Sequence, residues 1–126
     1  MNIPSDLKYT KDHEWIKVEG NEAKIGITEY AHGELGDIVF VDISSDLSEI
    51  TKGEPFGTIE AVKTVSDLFA PCNGKIIEIN SKLEDKPELI NNDPYGEGWI
   101  IKVEISSADD LADLLDSISY QTQITA

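Results

Sequence analysis

Apolar and polar positions alternate in several short stretches of this chain, and only near its end does the period lengthen. Residues 14–19, EWIKVE, alternate imperfectly, and Gly20-Asn21 separates them from EAKIGI at 22–27, which predicts a hairpin. Residues 28–33 predict a short helical turn, with Thr28 as its cap and Gly33 as its terminator. An apolar, β-prone run follows at 38–41, and a polar stretch at 44–55 carries Gly53 and Pro55 as turn markers. FGTIEAV at 56–62 and VSDLFA at 65–70 predict two more strands, Pro71 and Asn73-Gly74 punctuate the chain, and KIIEIN at 75–80 resumes the alternation. Residues 81–98 are loop-like, with room for a helical turn at 84–90, and WIIKVEI at 99–105 predicts the last strand. Ser107-Ala108-Asp109-Asp110 then has the form of a capping box. Leu111, Leu114, Leu115 and Ile118 recur at helical spacing, so an amphipathic helix over about 107–118 is expected to lie on a sheet.

Many short strands with Gly/Pro turns and one peripheral helix predict a mainly β fold, a small sandwich or barrel. At 126 residues the chain suits a single domain spanning 1–126, and 40% apolar with 28% charged residues is the composition of a folded protein. Trp15, Phe40 and Trp99, aromatics in β-rich stretches, are expected to pack in the core.

Charge narrows the function. The net charge is −15, all ten basic residues are lysine, and arginine is absent. Nucleic-acid binding needs a cationic footprint, and anionic lipid would repel this chain, so neither nucleic acid nor membrane is an expected partner. Residues 83–126 alone hold ten acids against Lys86 and Lys102, which suits a solvated acidic face or one that meets basic partners. No apolar run approaches the length of a membrane span, and no secretory leader is evident, so the cytoplasm is the expected compartment. Cys72 has no partner for a disulfide, no CxxC neighbour and no local base, and is expected to be a structural thiol.

The usual catalytic signatures fail. His13-Glu14 begins like HExxH, but Lys17 stands where the second histidine belongs. His32 and Cys72 supply no zinc spacing, and neither an EF-hand, a GxGxxG, a P-loop nor a GxSxG motif is present. No catalytic or metal-binding residue is therefore assigned.

Lys63 stands apart from the other nine lysines. It lies between two apolar β stretches, where a hairpin tip would point its ammonium away from the body. From the residues alone two readings remain: the lysine solubilises a tip, or it is offered for covalent chemistry.

A set of blocks from about residue 7 to 120 resembles the glycine cleavage system H protein family. They are Asp12-His13-Glu14-Trp15, Ile25-Gly26-Ile27-Thr28, Leu35-Gly36-Asp37-Ile38-Val39-Phe40-Val41, Gly53-Glu54-Pro55-Phe56-Gly57, Ile59-Glu60-Ala61-Val62-Lys63, Ser66-Asp67-Leu68, Ala70-Pro71 and Asn92-Asp93-Pro94-Tyr95-Gly96-Glu97-Gly98-Trp99. Each is weak alone, while their order and spacing are specific. The resemblance implies a flattened β sandwich (a barrel-sandwich hybrid) of the lipoyl/biotinyl type, with short peripheral helices and lipoic acid joined by an amide to Lys63. Biotin carriers of this type place methionines beside the lysine, and Val62 and Thr64 speak against biotin here.

The implied role is a noncatalytic shuttle. It carries the aminomethyl group of decarboxylated glycine from a pyridoxal-phosphate glycine decarboxylase to a tetrahydrofolate-dependent aminomethyltransferase. It then presents the dihydrolipoyl arm to dihydrolipoyl dehydrogenase. Glu60, Ala61, Val62, Thr64 and Asp67 would be read by a lipoyl ligase or a lipoyl/octanoyl transferase. Glu14 is a candidate for docking the loaded arm, though as a solvated carboxylate it would contribute little. Some relatives have His immediately before Leu-Gly; here Glu34 stands there, so that contribution does not transfer. The same hairpin would also serve a lipoyl relay to 2-oxoacid dehydrogenases, and an unmodified interaction module is a third reading.

Overall fold

The alternation at 14–27 folds as expected: β2 (Glu14–Glu19) and β3 (Glu22–Ile27) form an antiparallel hairpin, with Gly20 at φ 65 in its turn. The structure, a computed structural model, describes residues 3–43 and 46–125, so the first two positions of the polar 44–55 stretch lie outside it. The other strands are β1 (Lys8–Tyr9), β4 (Ile38–Asp42), β5 (Glu49–Ile50), β6 (Pro55–Ala61), β7 (Val65–Phe69), β8 (Gly74–Ile79) and β9 (Ile101–Ile105). They make two antiparallel sheets, one in the order β1-β2-β3-β9-β8-β5 and one in the order β4-β6-β7. Ile16, Ile25, Ile101 and Val103 from the first sheet meet Ile38, Ile59 and Leu68 from the second in one buried cluster. Each such side chain contributes roughly 1.5–3 kcal/mol by leaving water. The fold is a mainly β sandwich with short helices and a C-terminal helix, as the sequence led us to expect. No helix among the described residues is long and apolar enough to cross a membrane.

The departures are local. Helix α1 runs over Glu29–Leu35, so Gly33 does not end it. Thr28 caps it by accepting from the Ala31 N–H, and Gly36, at φ 88, closes it by donating to the His32 carbonyl. The loop-like region holds two short helices, α2 (Lys82–Asp85) and α3 (Glu88–Asn92), separated at Pro87.

The helix expected over 107–118 is divided. Ser107 does cap, accepting from the Asp109 N–H, but it opens only a 3₁₀ turn over Ala108–Leu111. Leu115 instead exchanges two main-chain hydrogen bonds with Tyr9, each 2.8 Å, which pulls the leucine stripe out of helical geometry. Asp116 then accepts from the Ser119 N–H, and α4 occupies Ser117–Thr125. Ile118, assigned to the buried stripe from its spacing, is 76% exposed, while Tyr120 is the buried residue of α4.

Trp15 is buried as expected, its indole N–H donating to the Pro94 carbonyl, and its ring lies over Gly26 directly across the ladder. A Cβ at Gly26 would sit 2.6 Å from that indole nitrogen, so only glycine fits beneath the ring. Trp99 is half-buried, with the Lys24 ammonium over its ring. Phe40 is a correction: it is 47% exposed. A bulge between Ile38 and Phe40 sets three β4 residues against two of β6, and both Val39 and Phe40 face solvent.

Candidate functional site

Strands β6 and β7 pair from Pro55↔Phe69 up to Glu60↔Val65, and Ala61 N–H donates to the Thr64 carbonyl at 2.8 Å. That bond leaves Val62 and Lys63 as a two-residue loop, so Lys63 stands at the tip, exposed. Its ammonium enters none of the ion pairs among the described residues, whereas Lys17, Lys52, Lys82 and Lys102 each face a carboxylate. Lys52 is held twice, by Asp113 and by the Asp110 carbonyl.

Around the tip, Val62 is 71% and Val65 61% exposed, and Thr64 is exposed with its hydroxyl donating to the Val65 carbonyl. Ala61, half-buried, pairs with Ile38. Glu60 stands on the outer face between Phe40 and Val65, its cross-strand partners, and one layer down Asp42 and Asp67 flank Thr58 in the same way. Glu60, Asp42 and Asp67 are all exposed. The tip therefore combines one unpaired cation, exposed valines and an acidic surround. The Lys63 ammonium is thus open to a modifying enzyme.

Glu14 is not at the tip, and it is not solvated. It is 2% exposed, at the start of β2. Its Oε2 accepts from the Phe69 N–H at 2.7 Å and its Oε1 from the Thr10 hydroxyl at 3.3 Å. The same hydroxyl oxygen accepts from the Asp12 and Glu14 main-chain N–H groups. Burial pushes the carboxyl up to about 8, against the opposing effect of the Phe69 bond, and no lysine is among the groups that shift it. Phe69 lies at the base of the hairpin, about 13 Å along β7 from Val65.

Cys72 is fully buried and its thiol is pushed up to about 11 by burial, as suits an inert side chain. His13 is also in structural use. At φ 68, its Nδ1 lies 2.9 Å from the Tyr120 hydroxyl, which also meets the Thr28 hydroxyl at 2.7 Å. No group of three potential metal ligands occurs among the described residues.

A profile of the glycine cleavage H-protein family matches residues 7–126. The chain belongs to that family. It is 55% identical over 124 residues to a glycine cleavage system H protein of Staphylococcus haemolyticus, covering 98% of each chain. It is 54% identical over 126 residues to the one from Bacteroides fragilis, covering both completely. The crystal structure of a glycine cleavage system H protein from Mycobacterium marinum superposes with a TM-score of 0.89 at 39% identity, covering 98% of this chain and 100% of that one. Members of the H-protein family are noncatalytic lipoyl carriers of the glycine cleavage system, homologous to lipoyl/biotinyl domains.

Sequence reasoning assigned no role to Leu35, Gly36 and Asp37, although they lie in a matched block. The Leu35 and Asp37 carbonyls and the missing side chain at Gly36 border the tip, and only the pairing of β4 with β6 shows it. Thr10 and Phe69, the partners of Glu14, carried no signal either.

Proposed function

We propose that Lys63 carries lipoic acid in amide linkage and that this chain, a single carrier domain, shuttles the aminomethyl group between the enzymes of glycine cleavage. The observation that carries the reading is the exposed, unpaired ammonium at the two-residue tip of the β6–β7 hairpin. An amide at Nζ needs a free amine with open space beyond it, and Lys63 offers both. Bound there, the dithiolane supplies reversible thiol–disulfide and group-carrying chemistry. The protein's part is placement: covalent attachment holds the reacting sulfur at high effective concentration beside each docked enzyme.

Glu60, Ala61, Val62, Thr64 and Asp67 form the surface read by a lipoyl ligase or a lipoyl/octanoyl transferase. The two acids among them, Glu60 and Asp67, would favour approach by glycine decarboxylase, aminomethyltransferase and dihydrolipoyl dehydrogenase wherever those partners present cationic surface. Glu14 is the inner stop for the loaded arm. Burial holds its carboxyl protonated, and a charged amine brought down from the tip would favour the ionised form and pair with it. The distance along β7 is on the scale of a lysine side chain extended by an eight-carbon acyl chain. The expected compartment is the cytoplasm.

The test is intact mass after expression with a working lipoylation pathway. One lipoyl addition is expected, absent in Lys63→Arg, together with loss of aminomethyl transfer between the decarboxylase and the aminomethyltransferase. Full transfer activity in Lys63→Arg would overturn the reading.

A further inference from the structure

A two-residue β-hairpin loop ordinarily relies on positive φ at one or both central residues, so that its twist matches that of the strands. Among the described non-glycine residues only His13 has positive φ, so Val62 and Lys63 turn the chain without that geometry. Both also send their main-chain N–H groups out of the hairpin. Val62 donates to the Asp37 carbonyl at 3.0 Å and Lys63 to the Leu35 carbonyl at 3.3 Å. The tip thus leans on the segment that joins α1 to β4.

Between those two carbonyls lies Gly36, at φ 88 and ψ −177, a conformation left almost entirely to glycine. A Cβ there would stand 3.4 Å from Lys63 Cγ, 3.6 Å from its Cδ and 3.6 Å from Val62 Cβ. The lysine stem therefore runs along the bare backbone of Gly36. The segment is braced from behind, because Gly36 N–H donates to the His32 carbonyl and His32 Nε2–H donates to Asp37 Oδ1 at 2.9 Å.

We propose that the elbow Leu35–Gly36–Asp37, braced by His32, is a positioning element for Lys63. It holds the turn through the two outward N–H groups and sets the direction in which the stem leaves. The inference rests on Lys63 being the attachment site. It adds that the modified lysine is defined by two segments distant in sequence, since a hairpin lacking the elbow would leave both N–H groups to solvent and the stem free to swing. Positioning of this kind acts on the attacking amine once the ligase complex has formed, so its loss falls on kcat rather than on KM.

The test compares Gly36→Ala, His32→Ala and, as control, Gly33→Ala, whose added methyl has nothing within 4 Å. Two readouts are taken on the unmodified proteins: amide hydrogen exchange at Val62 and Lys63, and the kinetics of lipoyl attachment by a lipoate–protein ligase. In Gly36→Ala, exchange at these two amides should rise about tenfold relative to the Ala61 amide, and kcat should fall about tenfold with KM within about twofold. His32→Ala, which leaves the elbow backbone intact, should move both in the same direction by about two- to fivefold, and carries the test if Gly36→Ala does not fold. Gly33→Ala should change neither. Unprotected Val62 and Lys63 amides in the parent protein would overturn the inference. So would faster exchange in the variants with unchanged attachment kinetics. A parent that takes no lipoyl group at Lys63 would instead overturn the carrier reading, while exchange would still report whether the elbow holds the turn.

Discussion

At its tip the β6–β7 hairpin exposes Val62, Lys63, Thr64 and Val65, whereas at its base Phe69 gives its main-chain N–H to a carboxyl that is 2% exposed. The tip is held chiefly by main-chain N–H groups, so Val62, Val65 and the Lys63 ammonium are open for a partner to read. The base is held through side chains, Glu14 and Thr10, inside the protein. Chemistry at the tip can therefore be lost without unfolding, and stability at the base can be lost without touching the lysine.

The largest expected effect tests the base. Trp15 follows Glu14 on β2 and is fully buried over Gly26, so Trp15→Ala should cost about 3–5 kcal/mol in urea unfolding. Any surviving folded protein should still accept the lipoyl group. Next, Glu14→Ala should cost about 2–3 kcal/mol, because it strands the part-buried Phe69 N–H and leaves a small cavity where the buried carboxyl stood. Glu14→Gln keeps an acceptor for that N–H and should cost under about 1 kcal/mol near neutral pH.

The pH dependence has a defined sign. Unfolded Glu14 releases its proton near its ordinary 4.5, while folded Glu14 holds it until about 8. Below 4.5 both states are protonated and the contribution to stability is complete. Between 4.5 and 8 the unfolded state binds fewer protons, so that contribution falls with rising pH, and above 8 it is lost. The difference in unfolding free energy between parent and Glu14→Gln, measured across this window, should follow that course. A flat difference would mean that the carboxyl is not held protonated by burial.

The smallest stability effects belong to the tip. Val65→Ser and Lys63→Arg should each shift unfolding by no more than about 0.5 kcal/mol, because both side chains already face solvent. If Lys63→Arg unfolded the protein, the separation between tip and base would fail.

Much of the architecture was legible as local pattern. The alternation at 14–27 named a hairpin, Thr28 named a helix start, and Lys63 between two β stretches named a tip. The C-terminal stripe misled because periodicity reports which residues are apolar and not what else their backbone meets. Leu115 is spent on a bridge to Tyr9, over a hundred residues away. Phe40 looked like core because alternation assumes an unbroken ladder, and the bulge after Ile38 turned it outward.

The sequence by itself determined the strand-rich class, the acidic charge and the identity of the exposed lysine, since these depend on side-chain type, short-range spacing and the order of the matched blocks. Tertiary structure decided what surrounds that lysine and what becomes of Glu14. A carboxyl at the start of a strand reads as solvated until another strand closes over it and its desolvation raises its proton affinity. Likewise, Gly36 carries no assigned role in the sequence, and only the pairing of β4 with β6 brings the Lys63 stem alongside it. Both outcomes depend on contacts between segments far apart in the chain, which local pattern does not encode.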